Sequence, residues 1–294
     1  MGHGSFTTTS YAAYNSSMGK SYDLDSGRIT AGQVFRASRI DESLNPKKFK
    51  IRECANTDEH PNTVPVILAL DVTGSMGSAC KETAEALGVI ITNLYKKFND
   101  IEFCVMGIGD LAYDNAPIQM SQFESDVRIA EALDKIYMEH GGGGNRFESY
   151  TAAWYMGLHR TKLDCFDKQG RKGIIITMGD EPLNPYLPVR ELNGSTGAKE
   201  QDDVETNRLY SEASKKFDIY HIAVDDHATC YDSYKDEIKE SFGKVLGQNL
   251  MVSTINNLAS AIEDCITKSL GGGYGLITEQ SSETKLNEKG EITW

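Results

Sequence analysis

The sequence predicts an α/β fold: a doubly wound, mostly parallel, Rossmann-like sheet with helices on both faces, preceded by an N-terminal extension. Three observations carry this. First, the apolar runs VILAL (66–70), IEFCVMGIG (101–109), GIIIT (173–177) and DIYHIAV (218–224) lack the alternation of half-exposed strands, so they read as strands buried on both faces. Second, stretches with apolar residues at helical spacing lie between them. Third, turns carrying carboxylates follow these runs, as at Asp71, Asp110, Asp180 and Asp225. Open sheets of this kind place their sites beyond the carboxyl ends of the strands.

Taken in order, residues 1–63 form the extension. Its first 27 residues are rich in Ser, Thr, Tyr and Gly, a composition of flexible or extended chain. KKFKIREC (47–54) alternates as a strand, and DEHPNTVP (58–65) is a connector. The domain proper spans 64–268. After its first strand comes a helix over 79–97, with Ala84, Leu87, Ile91, Leu94 and Phe98 on one stripe. The segment 117–123 reads as a short edge strand and 126–139 as a helix, broken by the four glycines 141–144 before another helix over 147–159. Pro185, Pro188, Gly194 and Gly197 make 183–203 a long surface loop. Helices over 204–217 and 231–241, a short strand over 244–246 and a closing helix over 251–268 complete the domain. A polar, weakly ordered tail occupies 269–294.

Composition narrows the function classes. The 294 residues carry a net charge of −13, and no Lys/Arg cluster rises above its acidic surroundings, which argues against nucleic acid. A negative surface suits divalent cations or basic partners. No apolar run approaches the ~20 residues of a membrane span, and the N-terminus lacks a secretory leader's pattern. The six cysteines sit singly, without a CxxC pair, which points to reduced thiols and a cytoplasmic location.

The chemistry concentrates at LALDVTGSMG (68–77). A turn leaving a strand end can direct the oxygens of Asp71, Thr73 and Ser75 toward one point, and Gly74 permits the tight path. Such a set suits an octahedral cation that keeps waters. The plainer reading is that Thr73 or Ser75 caps the next helix while Asp71 accepts from loop amides. Topology would bring the turns 71–77, 107–114 and 177–182 together, adding Asp110, Asp114, Asp180 and Glu181.

DVTGSMG in this strand–helix setting resembles the metal-ion-dependent adhesion site of von Willebrand factor type A domains, over roughly residues 64–268. The resemblance implies a metal set of Asp71, Thr73 and Ser75. Glu148 or Asn145, from GGGGNRFESYT (141–151), would replace the family's distant threonine. Asp180 would stand two residues beyond the family's distant aspartate, and Asp110 would ligate or shape the site. It further implies Mg2+, with Mn2+ or Ca2+ as substitutes, and a non-enzymatic module whose ion captures an Asp or Glu of a protein partner.

Two other classes compete. A structural subunit could assemble as a homo-oligomer through its terminal arms, with a degenerate metal site. A metal-dependent phosphoryl hydrolase could use Asp71, although DxDx, GxxxxGK[ST] and GxSxG are all missing. His221 and His227 are weaker site candidates, and Trp154 and Tyr155 read as core anchors.

Overall fold

The computed structural model describes residues 4–271 except 24, 32, 33, 99 and 140–144. The glycines 141–144 and the tail beyond 271 therefore lie outside the described residues. In chain order the elements are α1 (Thr8–Ser17), β1 (Ser21–Asp23), β2 (Arg28–Ala31), β3 (Arg52–Cys54), β4 (Val64–Asp71), α2 (Gly77–Tyr95), β5 (Ile101–Ile108), β6 (Ile118–Met120) and α3 (Arg128–Asp134). They continue with α4 (Thr151–Arg160), β7 (Thr161–Leu163), α5 (Asp164–Asp167), β8 (Gly173–Gly179), β9 (Tyr186–Leu187), α6 (Val189–Thr196), β10 (Val204–Glu205) and α7 (Thr206–Ala213). The last are β11 (Phe217–Val224), α8 (Tyr231–Leu246), β12 (Leu250–Ser253) and α9 (Leu258–Leu270).

A six-stranded sheet in the order β12-β11-β8-β4-β5-β6 forms the centre. All neighbours are parallel except β6, which runs antiparallel to β5. The continuous apolar runs are explained by burial: every residue of β4, β5 and β8 is buried, because helices cover both faces. On one face α2, α3 and α9 pack through Leu87, Ile91, Leu133 and Ile262; on the other α4, α7 and α8 pack through Trp154, Leu209 and Phe242. The chain starts at β4, winds outward to β6, then returns to β8 on the other side. The strand order thus reverses at β4, whose carboxyl end is Asp71.

Several elements differ from the sequence-based expectation. The first 27 residues are not merely extended: Thr7 and Ser10 form a capping box that starts α1. Its Tyr11 is buried against α2, and Lys20 pairs with Asp134 of α3, which also accepts from the Tyr14 hydroxyl at 2.7 Å. Only Arg52–Cys54 of the expected 47–54 strand is strand, because Asn45 caps a tight turn over Pro46–Lys48. The helix expected to Glu139 stops at Asp134. Gln119 captures the backbone of Tyr137 in both directions, at 2.8 and 2.7 Å, and the Glu139 N–H bonds Val72 O at 2.9 Å.

The loop 183–203 contains α6, ended by Gly197 at φ 70°. Residues 244–246 are helix, not strand, because Leu246 continues the buried Ile238–Phe242 stripe of α8. Gly247, at φ 55°, ends that helix, and the strand comes later at β12, so the closing helix begins at Leu258. The helix expected from 147 begins at Thr151.

The arm also closes one sheet edge. Met120 of β6 donates its N–H to Leu44 O at 2.9 Å and accepts at its carbonyl from Arg52 Nη2 at 2.8 Å. At the other edge, Val252 of β12 is 46 % exposed. No helix among the described residues is long and apolar enough to cross a membrane.

Gly88 of α2 sets the arm's seat. A Cβ there would lie 2.7 Å from Tyr11 Cε1 and 2.8 Å from Gly27 O. Gly88→Ala therefore forces the arm off α2 while favouring the helix itself. We expect a loss of about 1–3 kcal/mol, on the scale of an overpacked core site, and faster protease cleavage within residues 8–29. Unchanged melting and unchanged cleavage would show that the arm contributes nothing at this seat.

Candidate functional site

The site is the carboxyl end of β4 and its neighbours, where the chain crowds acids. Asp71 ends β4 fully buried. Its Oδ1 accepts from Thr73 twice, from the backbone N–H at 3.0 Å and the hydroxyl at 2.6 Å. Its Oδ2 accepts from the Tyr150 hydroxyl at 2.8 Å. The motif thus serves mostly itself: Thr73 turns its hydroxyl inward, and Asp71 holds the loop that leads into α2.

The other acids arrive from three turns. Asp180 follows β8, is fully buried and accepts from the Cys230 N–H at Oδ2, 2.7 Å away, while Oδ1 has no hydrogen-bond partner. Glu148 precedes α4 and is 4 % exposed, with Oε2 likewise unpartnered. Asp110 follows β5. Its Oδ1 accepts from the Ala112 N–H at 2.8 Å and its Oδ2 from Asn145 Nδ2 at 2.6 Å. Asp114 folds back to accept the Asp110 N–H at 2.7 Å. Ser75 stands beside Asp180 and helps stabilise its charged form. All seven residues expected from sequence, Asp71, Thr73, Ser75, Asn145, Glu148, Asp110 and Asp180, therefore lie at one end of the sheet.

They do not form the expected metal centre. Among the described residues no group of three or more His, Cys, Asp or Glu could hold a metal ion. This overturns the adhesion-site resemblance, the Mg2+, Mn2+ or Ca2+ cofactor, and the partner Asp or Glu that such an ion would capture. It equally removes the metal-dependent hydrolase and a degenerate metal site. The reason lies in the hydrogen bonds. Both Asp71 oxygens are filled, Thr73 donates to Asp71, Asn145 donates to Asp110, and one Asp180 oxygen is held by a backbone amide. Ser149, in the loop that supplies the family's threonine, accepts the Leu111 N–H at 3.0 Å.

Sequence reasoning missed Tyr150. It is fully buried, its ring packs edge-on to His221 at 5.0 Å and tilted against Phe242 at 5.8 Å, and its hydroxyl also accepts the Glu181 N–H at 3.3 Å. Burial first, then the charges of Asp71, Asp180, Glu148 and Glu181, push its pKa up. A signal existed in Gly179, a glycine ending an apolar strand. A Cβ there would lie 2.1 Å from the Tyr150 hydroxyl.

Electrostatics follow from crowding without counter-charge. Burial, and then Asp180, raise the pKa of Asp71; burial, and then Asp71, Glu181, Asp114 and Asp110, raise that of Glu148. Asp180 and Asp110 are raised mainly by burial. Glu181 is pushed up to about 7 by burial and by Asp180, Asp110 and Asp114. Asp114 is pushed up to about 6 by burial, against the Asp110 amide. His221, stacked on Phe242 at 3.7 Å, is pushed down to about 3 by burial.

The signs oppose. A carboxyl with a raised folded pKa contributes stability that is complete below its unfolded value, about 4, and is lost as pH rises through the folded value. His221, depressed, contributes above about 6.5 and loses its contribution as pH falls. Between about pH 5 and pH 8 the carboxyls outnumber the imidazole, so melting temperature should fall as pH rises. Glu148→Gln should melt higher than the parent at about pH 8, by about 2 °C or more, with the gap closing near pH 5. A parent that is more stable at the alkaline end would mean that these acids are ionised and satisfied.

No family model matches the chain, and no curated protein matches it. Among solved structures it is similar to the pilus adhesin SpaC from Lactobacillus rhamnosus GG in its open conformation. That likeness has a TM-score of 0.45 at 13% identity and covers 74% of this chain but 31% of the adhesin. It is also similar to a mutant of the PilB minor pilin from Streptococcus sanguinis, with a TM-score of 0.46 at 11% identity, covering 72% of this chain and 63% of the pilin.

Proposed function

We propose that the chain is a non-enzymatic recognition module whose acidic strand-end cluster receives a positively charged group from a basic segment of a protein partner. One observation carries this reading: Glu148 Oε2 and Asp180 Oδ1 are buried and unpartnered inside a cluster of acids. Buried carboxyl oxygens without donors are costly, and a donor that also brings positive charge relieves both the missing bond and the mutual repulsion. The sign of partner chemistry is thereby the reverse of a metal-bridged site. A partner carboxylate would be repelled here.

Binding rather than covalent chemistry is favoured by the two thiols beside the site: that of Cys230 is pushed up by burial and then by the charges of Asp180 and Glu181. Cys80 is buried, its S–H bonds the Asp71 carbonyl at 2.9 Å, and burial followed by the charges of Asp71 and Asp180 raises its pKa, which describes an inert thiol. Asp71, with every oxygen filled, acts as scaffold, while Glu148 and Asp180 face the ligand. All six cysteines are free, which supports a reducing, cytoplasmic setting for this binding.

The test is binding of a fluorescent peptide of alternating lysine and arginine, compared between the parent and a Glu148→Gln/Asp180→Asn variant. Affinity should fall about tenfold or more, the scale of losing a charge-assisted hydrogen bond. Glu42→Gln/Glu59→Gln removes the same charge elsewhere on the surface and should leave affinity nearly intact. Equal losses in both variants would reduce the effect to net charge and sink the reading.

A further inference from the structure

We infer that His60 is a proton-operated latch: residues 4–6 stay seated while its imidazole carries both protons and let go when it loses one. The latch lies at the amino ends of β4 and β5, the end of the sheet opposite the acidic cluster, so it stands independently of the recognition reading above.

His60 is 3 % exposed in the connector that leads into β4. Its Nδ1 stands 3.3 Å from Asp100 Oδ1, and its Nε2 stands 3.3 Å from the Gly4 carbonyl oxygen. A carbonyl and an ionised carboxylate can only accept. A neutral imidazole has one N–H and one lone pair, so it serves one of these oxygens and turns a lone pair on the other. The imidazolium donates to both. Backbone bonds hold the ring's residue and the carboxylate in place. The His60 N–H donates to Thr57 Oγ1 and the Thr57 N–H to His60 O, both at 3.0 Å, while Asp100 Oδ2 accepts the Asn62 N–H at 2.9 Å.

The surroundings favour the second proton. Asp100 precedes β5, and Glu102 of β5 lies close enough for its carboxyl to feel the His60 charge. Burial raises the Glu102 pKa, while a bond from Cys54 of β3, and then His60, act to lower it. Glu124 faces Glu102 and Asp126 lies beside Gly4, both of them paired with Arg128. The first residues are otherwise tied to Ser125 and to aromatic rings. Gly4 O also accepts from Ser125 Oγ at 2.5 Å, the Phe6 N–H donates to Ser125 O at 2.9 Å, and the Phe6 ring packs on Tyr11 and Tyr95. From Thr7 onward the arm has its own anchors, the capping box, buried Tyr11 and the Lys20–Asp134 pair. Losing the His60 proton therefore frees residues 4–6 and leaves α1 in place. An imidazole changes charge between about pH 5 and pH 8. The latch is closed on the acidic side of that window and opens as pH rises through it.

The experiment reads amide hydrogen exchange of Phe6 by NMR on the full chain between about pH 5 and pH 8, with the pH dependence of the intrinsic exchange rate divided out. Phe6 protection should fall about fivefold or more across this range, while the Tyr11 amide, bonded to Thr7 O in the first turn of α1, keeps its value. The His60 ring nitrogen shifts should change over the same interval as Phe6 protection. Asp100→Asn gives the opposite expectation. Its amide can donate to Nδ1 of the neutral ring and still accept the Asn62 N–H, which leaves the Nε2 N–H for Gly4 O, so Phe6 should stay protected throughout. Flat protection in the parent, or ring shifts that change over a different interval, would overturn the latch. A fall of the same size in Asp100→Asn would also overturn it, by assigning the response to Glu124, Asp126 or another acid.

Discussion

The hydrogen bond from the Tyr150 hydroxyl to Asp71 fixes the geometry on which the acidic end of this molecule depends. It joins the end of the central strand to the start of α4 and, through the close approach to Gly179, to the end of β8. A phenol can do this because it is both a large apolar body and a single polar tip. The body stacks among His221 and Phe242, and the tip supplies the third donor that Asp71 needs to remain buried. With Asp71 satisfied in this way, the unmet demand for donors moves to Glu148 and Asp180.

The lower end of α4 is held by a different device. Lys216 points its ammonium at the helix's last carbonyls, 2.7 Å from Thr161 O, 3.3 Å from Gly157 O and 3.4 Å from Leu158 O. A buried cation at a helix C-terminus satisfies groups that would otherwise lack partners and complements the helix dipole. Burial depresses the Lys216 pKa in return. The helix that follows Tyr150 is thus secured at the acidic end of the sheet and again at the opposite end.

Much of the architecture was legible because it rests on local pattern. Unbroken apolar runs gave the four principal parallel strands, and the helical spacing of Leu87, Ile91 and Leu94 marked α2. What failed depended on distant partners. No local pattern reveals that Gln119 would hold Tyr137 out of a helix, or that Leu246 would extend the stripe of α8. At the site, spacing placed Asp71, Thr73 and Ser75 at a strand end, but spacing does not say which way a hydroxyl donates. Thr73 donating to Asp71, rather than facing outward with it, separates a self-capped turn from a metal centre. Tyr150 was invisible because its role exists only after α4 is laid across β8.

The two borders of the sheet have unequal consequences for self-association. At β6 the outward groups of Met120 are already committed to Leu44 and Arg52, whereas β12 has β11 as its neighbour in the sheet among the described residues. A sheet with two open borders can add copies at both and grow without limit. With one border closed, a sheet loses one of the two directions in which strands can be added. The N-terminal extension, by occupying β6, removes that border as a template for strand addition.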